Sequence, residues 1–155
     1  SCTDLVKSGV AIAVKEVAQI IDVSCEAAVN QAVLAAKTIG YSTGPSGVYL
    51  AELFERWGIA DQIKDRIVKI PPGVPVGSLV AKGEVELGFQ QLSELLPLKG
   101  ITLLGPLPAD IQIMTRFSAG VPLKSNQQEA VKILLKFLTS PAAAEAKINN
   151  GMEPI

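Results

Sequence analysis

The residues best placed to do chemistry in this 155-residue chain are mostly uncharged. Ser42, Thr43 and Ser46 fall together in the stretch STGPSG, with Gly44 and Gly47 beside them. Hydroxyls of this kind, together with the backbone amides of Ser46 and Gly47 at the start of a helix, can hold an oxyanion without a counter-charge. The glycines let a ligand approach the backbone closely. The stretch lacks the lysine of a P-loop and the G-x-G-x-x-G spacing of a dinucleotide site. A plainer reading makes Ser46 the N-cap of the following helix. A second pair, Gln90 and Gln91, follows the apolar run VELGF. Adjacent amides at a strand end can donate to a ligand, or they can simply face solvent at a loop entrance.

Other chemistries are poorly supplied. The chain has no histidine and two cysteines, Cys2 and Cys25. That composition argues against a zinc site and against Cys–His or Ser–His–Asp nucleophiles. Cys2 and Cys25 either form a disulfide, which an oxidising compartment would favour, or serve as two small buried apolar residues. Glu84 and Glu86 are a local carboxylate pair, read here as solvated residues around a strand start. With no base or nucleophile in either candidate loop, the expectation is a protein that is not an enzyme and needs no cofactor. Net charge is −1 and the 14 basic residues are scattered, so nucleic acid is not an expected partner. The longest apolar run, VAIAV at 10–14, is far short of the ~18 residues of a membrane span, and a membrane-spanning chain is not expected. A hydrophobic content of 48% against 19% charged residues indicates a folded domain.

The elements that must carry these residues can be read from periodicity. VAIAV reads as a buried strand. SCEAAVNQAVLAAK reads as a helix capped by Ser24, with Val29, Val33 and Ala36 on one face. TIGYS is the next strand. The helix after STGPSG runs to Trp57 and stops at Gly58, with Tyr49, Leu50, Leu53, Phe54 and Trp57 as its core face. IADQIKDRI reads as a helix with Ile63 and Ile67 inward, and PPGVP as a loop. VGSLVAKG is a short helix closed by Gly83, VELGFQQ a strand, GITLLGPLP a strand, and IQIMTRFSAGV an alternating strand. SNQQEAVKILLKFL begins with Ser125 and Gln128 in capping-box spacing and is expected to pack through Val131, Leu134, Leu135 and Leu138. SPAAAEAKINNG begins a last helix with Ser140 as N-cap and Pro141 at its first position. Strands alternating with helices predict an α/β fold, with a mostly parallel sheet flanked by helices. In such sheets ligands sit beyond the C-terminal strand ends, where both STGPSG and Gln90–Gln91 lie.

The segments IGYSTGPSGVYLAELFERWGIADQI, LVAKGEVELGFQQLSEL and FLTSPAAAEAKINNGMEP together resemble type II periplasmic solute-binding proteins, most closely the molybdate-binding-like group. The resemblance covers the chain from about Leu5. It implies a lobe that closes with another over a small anionic solute, which passes to an ABC permease, in a periplasmic or extracellular setting. Residues 9–105 would be second-lobe-like. Residues 111–155 would be a return strand and helices that pack on a first lobe, which has no counterpart in these 155 residues. That implies a part of a longer protein or a shortened relative. Carried over by position, the ligand contacts fall on Ser46 and Gly47. Gln91 stands where molybdate binders often have a tyrosine, and STGPSG is shorter than their loop. Ser42, Thr43, Ser46, Gly47, Gln90 and Gln91 are thus the expected half-site, acting by closure without chemistry. An interaction or regulatory module that keeps the fold without a ligand is the alternative. In either case an exposed crossover face favours a homo-oligomer.

Overall fold

The computed structural model describes residues 2–71 and 73–155. Its organising element is one long strand, β1 (Cys2–Lys15). The sequence marks only its second half as apolar. Val10, Ile12 and Val14 point to one face and Ala11 and Ala13 to the other, and all five are at most 1% exposed. Burial on both faces explains why this stretch reads as an unbroken apolar run.

After β1 come α1 (Glu26–Ala35), β2 (Ile39–Tyr41), α2 (Pro45–Arg56), α3 (Ala60–Ile63) and β3 (Ile67–Val68). Next are α4 (Val76–Lys82), β4 (Leu87–Gln91), α5 (Leu92–Leu95) and β5 (Ile101–Pro106). The chain closes with β6 (Met114–Gly120), α6 (Gln128–Leu138), α7 (Ala144–Asn149) and β7 (Glu153–Pro154). Cys25, not Ser24, occupies the N-cap of α1, and Ser24 instead takes a turn bond from its own amide to Asp22. Gly83 closes α4 in the left-handed conformation, with φ of 80°, as its place after the apolar run predicts. Ser140 and Pro141 lead into a 3₁₀ turn before α7. At α6 the expected capping box is absent. Gln127 is the N-cap, and the Ser125 hydroxyl takes the Gln127 amide.

The main sheet runs β3-β2-β4-β1-β5. The α/β class holds, but the expectation of a mostly parallel sheet is corrected at β1. β2 pairs in parallel with β3 and β4, whereas β1 is antiparallel to β4, β5, β6 and β7. With β1 removed, β3, β2, β4 and β5 would all run one way, as strands joined by helical crossovers do. β1 enters from outside that series and slots between β4 and β5. Its residues 10–15 pair inside the main sheet, and its residues 2–9 continue out to β6 and β7.

Two helix layers cover the main sheet. On one face Val29 and Val33 of α1 and Leu50, Leu53 and Phe54 of α2 pack on Val10, Ile12, Leu87 and Phe89. The aromatic stripe read from the sequence is therefore core. Phe54 meets Tyr41, Trp57 and Phe89 with ring centroids 5.9, 5.9 and 6.3 Å away. On the other face Val76, Leu79 and Val80 of α4 join Ile70 and Val85, and Leu95 of α5 covers Ala11 and Ala13.

The outer half is different. α6 has no buried residue, and Ile133, Leu134 and Phe137 are 71%, 53% and 55% exposed. Packing of α6 through Val131, Leu135 and Leu138 is partial, and the expected contribution of Leu134 is corrected, since it faces outward. α7 is tied down through Lys147, whose Nζ donates to the Leu5 carbonyl at 2.9 Å.

Candidate functional site

A cleft of about 720 Å³ opens where β4 ends, between the N-terminus of α2 and strand β6. Ser42, Thr43, Gly44 and Pro45 form one wall, Gln90, Gln91 and Glu94 the floor, and Thr115, Arg116 and Phe117 the opposite side. Four of the six expected residues, Ser42, Thr43, Gln90 and Gln91, thus share one cleft. The other two do not line it.

Ser46 and Gly47 are buried behind the wall. The helix begins two residues earlier than an N-cap at Ser46 requires. Gly44 is the N-cap and Pro45 the first helical residue, where its missing N–H costs nothing. Ser46 is not a cap. It is fully buried, and its hydroxyl pairs with that of Ser42 at 2.9 Å. The Gly47 amide is already committed to the Gly44 carbonyl at 3.0 Å. A Cβ on Gly47 would lie 1.5 Å from the Ser42 carbonyl oxygen, so the turn can close only over a glycine. The Gly47 amide as a ligand donor is therefore corrected: this glycine builds the wall.

Both glutamines are nearly buried and already engaged. Gln90 Oε1 accepts the Val76 amide at 3.0 Å, which caps α4, and its Nε2 donates to Glu94. Gln91 Nε2 donates to Thr115 Oγ1 at 3.2 Å, joining the end of β4 to β6 across the floor. Both amides lie at the end of β4, as expected, and the bonds they make are those of struts between neighbouring elements.

Two charged residues of the cleft, Glu94 and Arg116, were not expected from the sequence. Glu94 lies on α5, which directly follows the end of β4, and its carboxylate accepts a hydrogen bond from Nε2 of Gln90 at that strand end. Arg116 sits in the alternating strand β6, and its Nη1 donates to Asp4 on β1 at 3.1 Å. The Ser118 hydroxyl bond, and then Arg116 itself, hold the Asp4 carboxyl below its ordinary value. Burial pushes the Tyr41 phenol, at the end of β2, above its ordinary value.

Gln112 was also unforeseen. Its Nε2 donates to the Val10 carbonyl and its Oε1 accepts the Val10 amide, both at 2.9 Å, in the manner of a peptide group. It fills the rung where β1 leaves β6 and enters the main sheet. Tyr49 of α2 donates to the neighbouring Ile111 carbonyl at 2.9 Å, so the wall helix is fastened to this junction.

Cys2 and Cys25 are exposed free thiols, which corrects both the disulfide and the buried-apolar expectations. Cys2 lies at the outer tip of β1, while α1 packs on Val10 and Ile12. Eight or more strand residues at about 3.3 Å each separate those regions, well beyond the ~7 Å Cα limit for a disulfide. Among the described residues no group of three or more His, Cys, Asp or Glu could hold a metal, and no helix is long and apolar enough to cross a membrane.

Residues 1–153 match the family of bacterial extracellular solute-binding proteins. A curated relative, an aconitate isomerase from Pseudomonas sp, is 39% identical over 156 residues. That match covers 100% of this chain and 59% of the relative, so the chain spans under two thirds of its length. Among solved structures, the Azotobacter vinelandii periplasmic molybdate-binding protein superposes with a TM-score of 0.73 at 17% identity, over 98% of this chain and 67% of that one. The substrate-binding domain of a molybdenum ABC transporter from Clostridium difficile gives 0.72 at 18%, over 99% and 66%. At these identities the structural likeness establishes the fold alone.

Proposed function

Because the chain belongs to the family of bacterial extracellular solute-binding proteins, we propose that it forms one side of an extracytoplasmic cleft for a small anion. The anion is an oxyanion or a carboxylate, delivered to an ABC-type permease by closure without chemistry. In this reading residues 9–105 are one lobe, and residues 111–155 are the return strand and helices that meet another. The observation that carries it is the convergence of Ser42, Thr43, Gln91, Thr115 and Arg116 on one cleft at a helix N-terminus. Hydroxyls, the positive end of the helix dipole and one guanidinium favour negative charge there.

The test is thermal unfolding of the full chain against sulfate, phosphate, molybdate, citrate and tricarballylate. A ligand at one hundred times its dissociation constant adds about 2.7 kcal/mol, which raises Tm by several degrees in a protein of this size. No shift with any of them would remove the anion reading and leave the interaction-module alternative.

A second reading, isomerisation of a small polycarboxylic acid, is favoured by the relative at 39% identity. Glu94 is the acid on the cleft among its described lining residues, and it would be the proton carrier. Incubation of the full chain with trans-aconitate in deuterated water, followed by proton NMR, separates the two. Binding without isomerisation or exchange supports transport, and turnover supports the isomerase.

A further inference from the structure

We infer that the cleft selects an acid that also carries a hydrogen-bond donor, as a hydroxy acid does, and that Glu94 is the residue that makes this selection. The inference rests on the anion reading above and narrows its ligand class. The floor of the cleft is not neutral. Glu94 lines it, held by Gln90, which is itself 6% exposed and fixed by the Val76 amide. Glu94 itself is exposed to solvent at the cleft, and one of its carboxylate oxygens is held in place by the buried Gln90 amide.

Arg116 lines the same cleft and keeps one bond to Asp4, which leaves other guanidinium donors for a ligand. An anion satisfied by Arg116, Ser42 and Thr43 therefore meets a negative group on the floor. A fully ionised tetrahedral oxyanion has no proton to offer Glu94 and is repelled by it. A hydroxyl beside the carboxylates turns the same contact into a charge-assisted hydrogen bond. Sites built to bond a hydroxyl discriminate strongly against the analogue that lacks it.

Citrate and tricarballylate differ by that one hydroxyl, and molybdate represents the fully ionised oxyanion. Isothermal titration of the full chain should show citrate binding about tenfold more tightly than tricarballylate, in keeping with a hydrogen bond to a charged group. Glu94→Ala should bring the two within about twofold. Glu94→Gln, which removes the charge and puts an amide donor in place of one carboxylate oxygen, should tighten molybdate by about tenfold. Circular dichroism confirms that both variants fold. A citrate preference that survives in Glu94→Ala overturns the inference and leaves the anion reading standing, as does molybdate affinity unchanged in Glu94→Gln. Failure of all three probes to bind any form sinks both.

Discussion

Two phenylalanines show how differently the two halves of this chain are built. Phe54, on α2, is 2% exposed and touches three other aromatic rings. Phe137, on α6, is 55% exposed. Both lie on amphipathic helices, but only Phe54 falls on a core face expected from the sequence; for α6 that face was Val131, Leu134, Leu135 and Leu138, and Leu134 too is 53% exposed. The half around the main sheet closes on itself, with helices on both faces. The outer half, built on the first part of β1 with β6, β7, α6 and α7, leaves an apolar face open. The same strand serves both, so the contrast lies in what covers each end of β1 and not in its composition. An amphipathic stripe shows which side of a helix avoids water. It does not say which surface will cover that side.

The largest expected effect lies in the closed half. Gly47→Ala forces a Cβ to within 1.5 Å of the Ser42 carbonyl. It should cost more than about 4 kcal/mol, the range reserved for severe steric damage, and chemical denaturation should show it as a lost or non-cooperative transition. A mild effect would mean that the turn can open, and the cleft wall would then be less rigid than the main sheet. Because of this clash, a carboxylate placed at residue 47 would test folding and not ligand binding.

The next prediction pits the two rings directly against each other. Phe54→Ala should lose roughly 3–5 kcal/mol, and Phe137→Ala should stay within about 0.5 kcal/mol, both read from urea midpoints at constant m-value. Equal losses would break the comparison and show that the α6 face is covered in solution. A second copy of the chain would be such a cover. Sedimentation of the native protein would then show a dimer that Phe137→Ala weakens.

Gln112→Ala tests the junction between the halves. It leaves the Val10 amide without its 2.9 Å partner and should cost about 1–3 kcal/mol. Hydrogen exchange would sharpen the point, because protection should fall first at residues 9–12 while the β2–β4 ladder stays intact.

The smallest effect concerns Asp4, which ties β1 to Ser118 and Arg116 of β6. Its carboxyl is held below the ordinary value by the Ser118 hydroxyl and then by Arg116. A depressed folded-state value means the ionised form is favoured by folding. The contribution is present above about pH 4 and fades as pH falls through the lower folded-state value. Because Asp4 is exposed, only a slight difference in acid unfolding should separate Asp4→Asn from the parent protein. A marked difference above pH 5 would contradict this assignment.

Periodicity was enough to locate most helices, the two-faced apolar strand at 10–14, the Gly83 stop, and the clustering of STGPSG with Gln90–Gln91 near one strand end. Local backbone preference and side-chain alternation determine these, and both are written in neighbouring residues. The first half of β1 was not legible, because Cys2–Gly9 mixes polar and apolar residues on a strand covered only in part. The direction of β1 was not legible either, since alternation is the same whichever way a neighbour runs. At the candidate site, tertiary structure decided which groups face the cleft. Ser46 and Gly47 turned inward because a close turn buries them, and the two glutamines became struts because buried amides must find partners. Glu94 and Arg116 are far apart in sequence and carry no shared motif. They meet in one cleft because β6 returns to pair with β1, and that pairing depends on the packing of the whole chain.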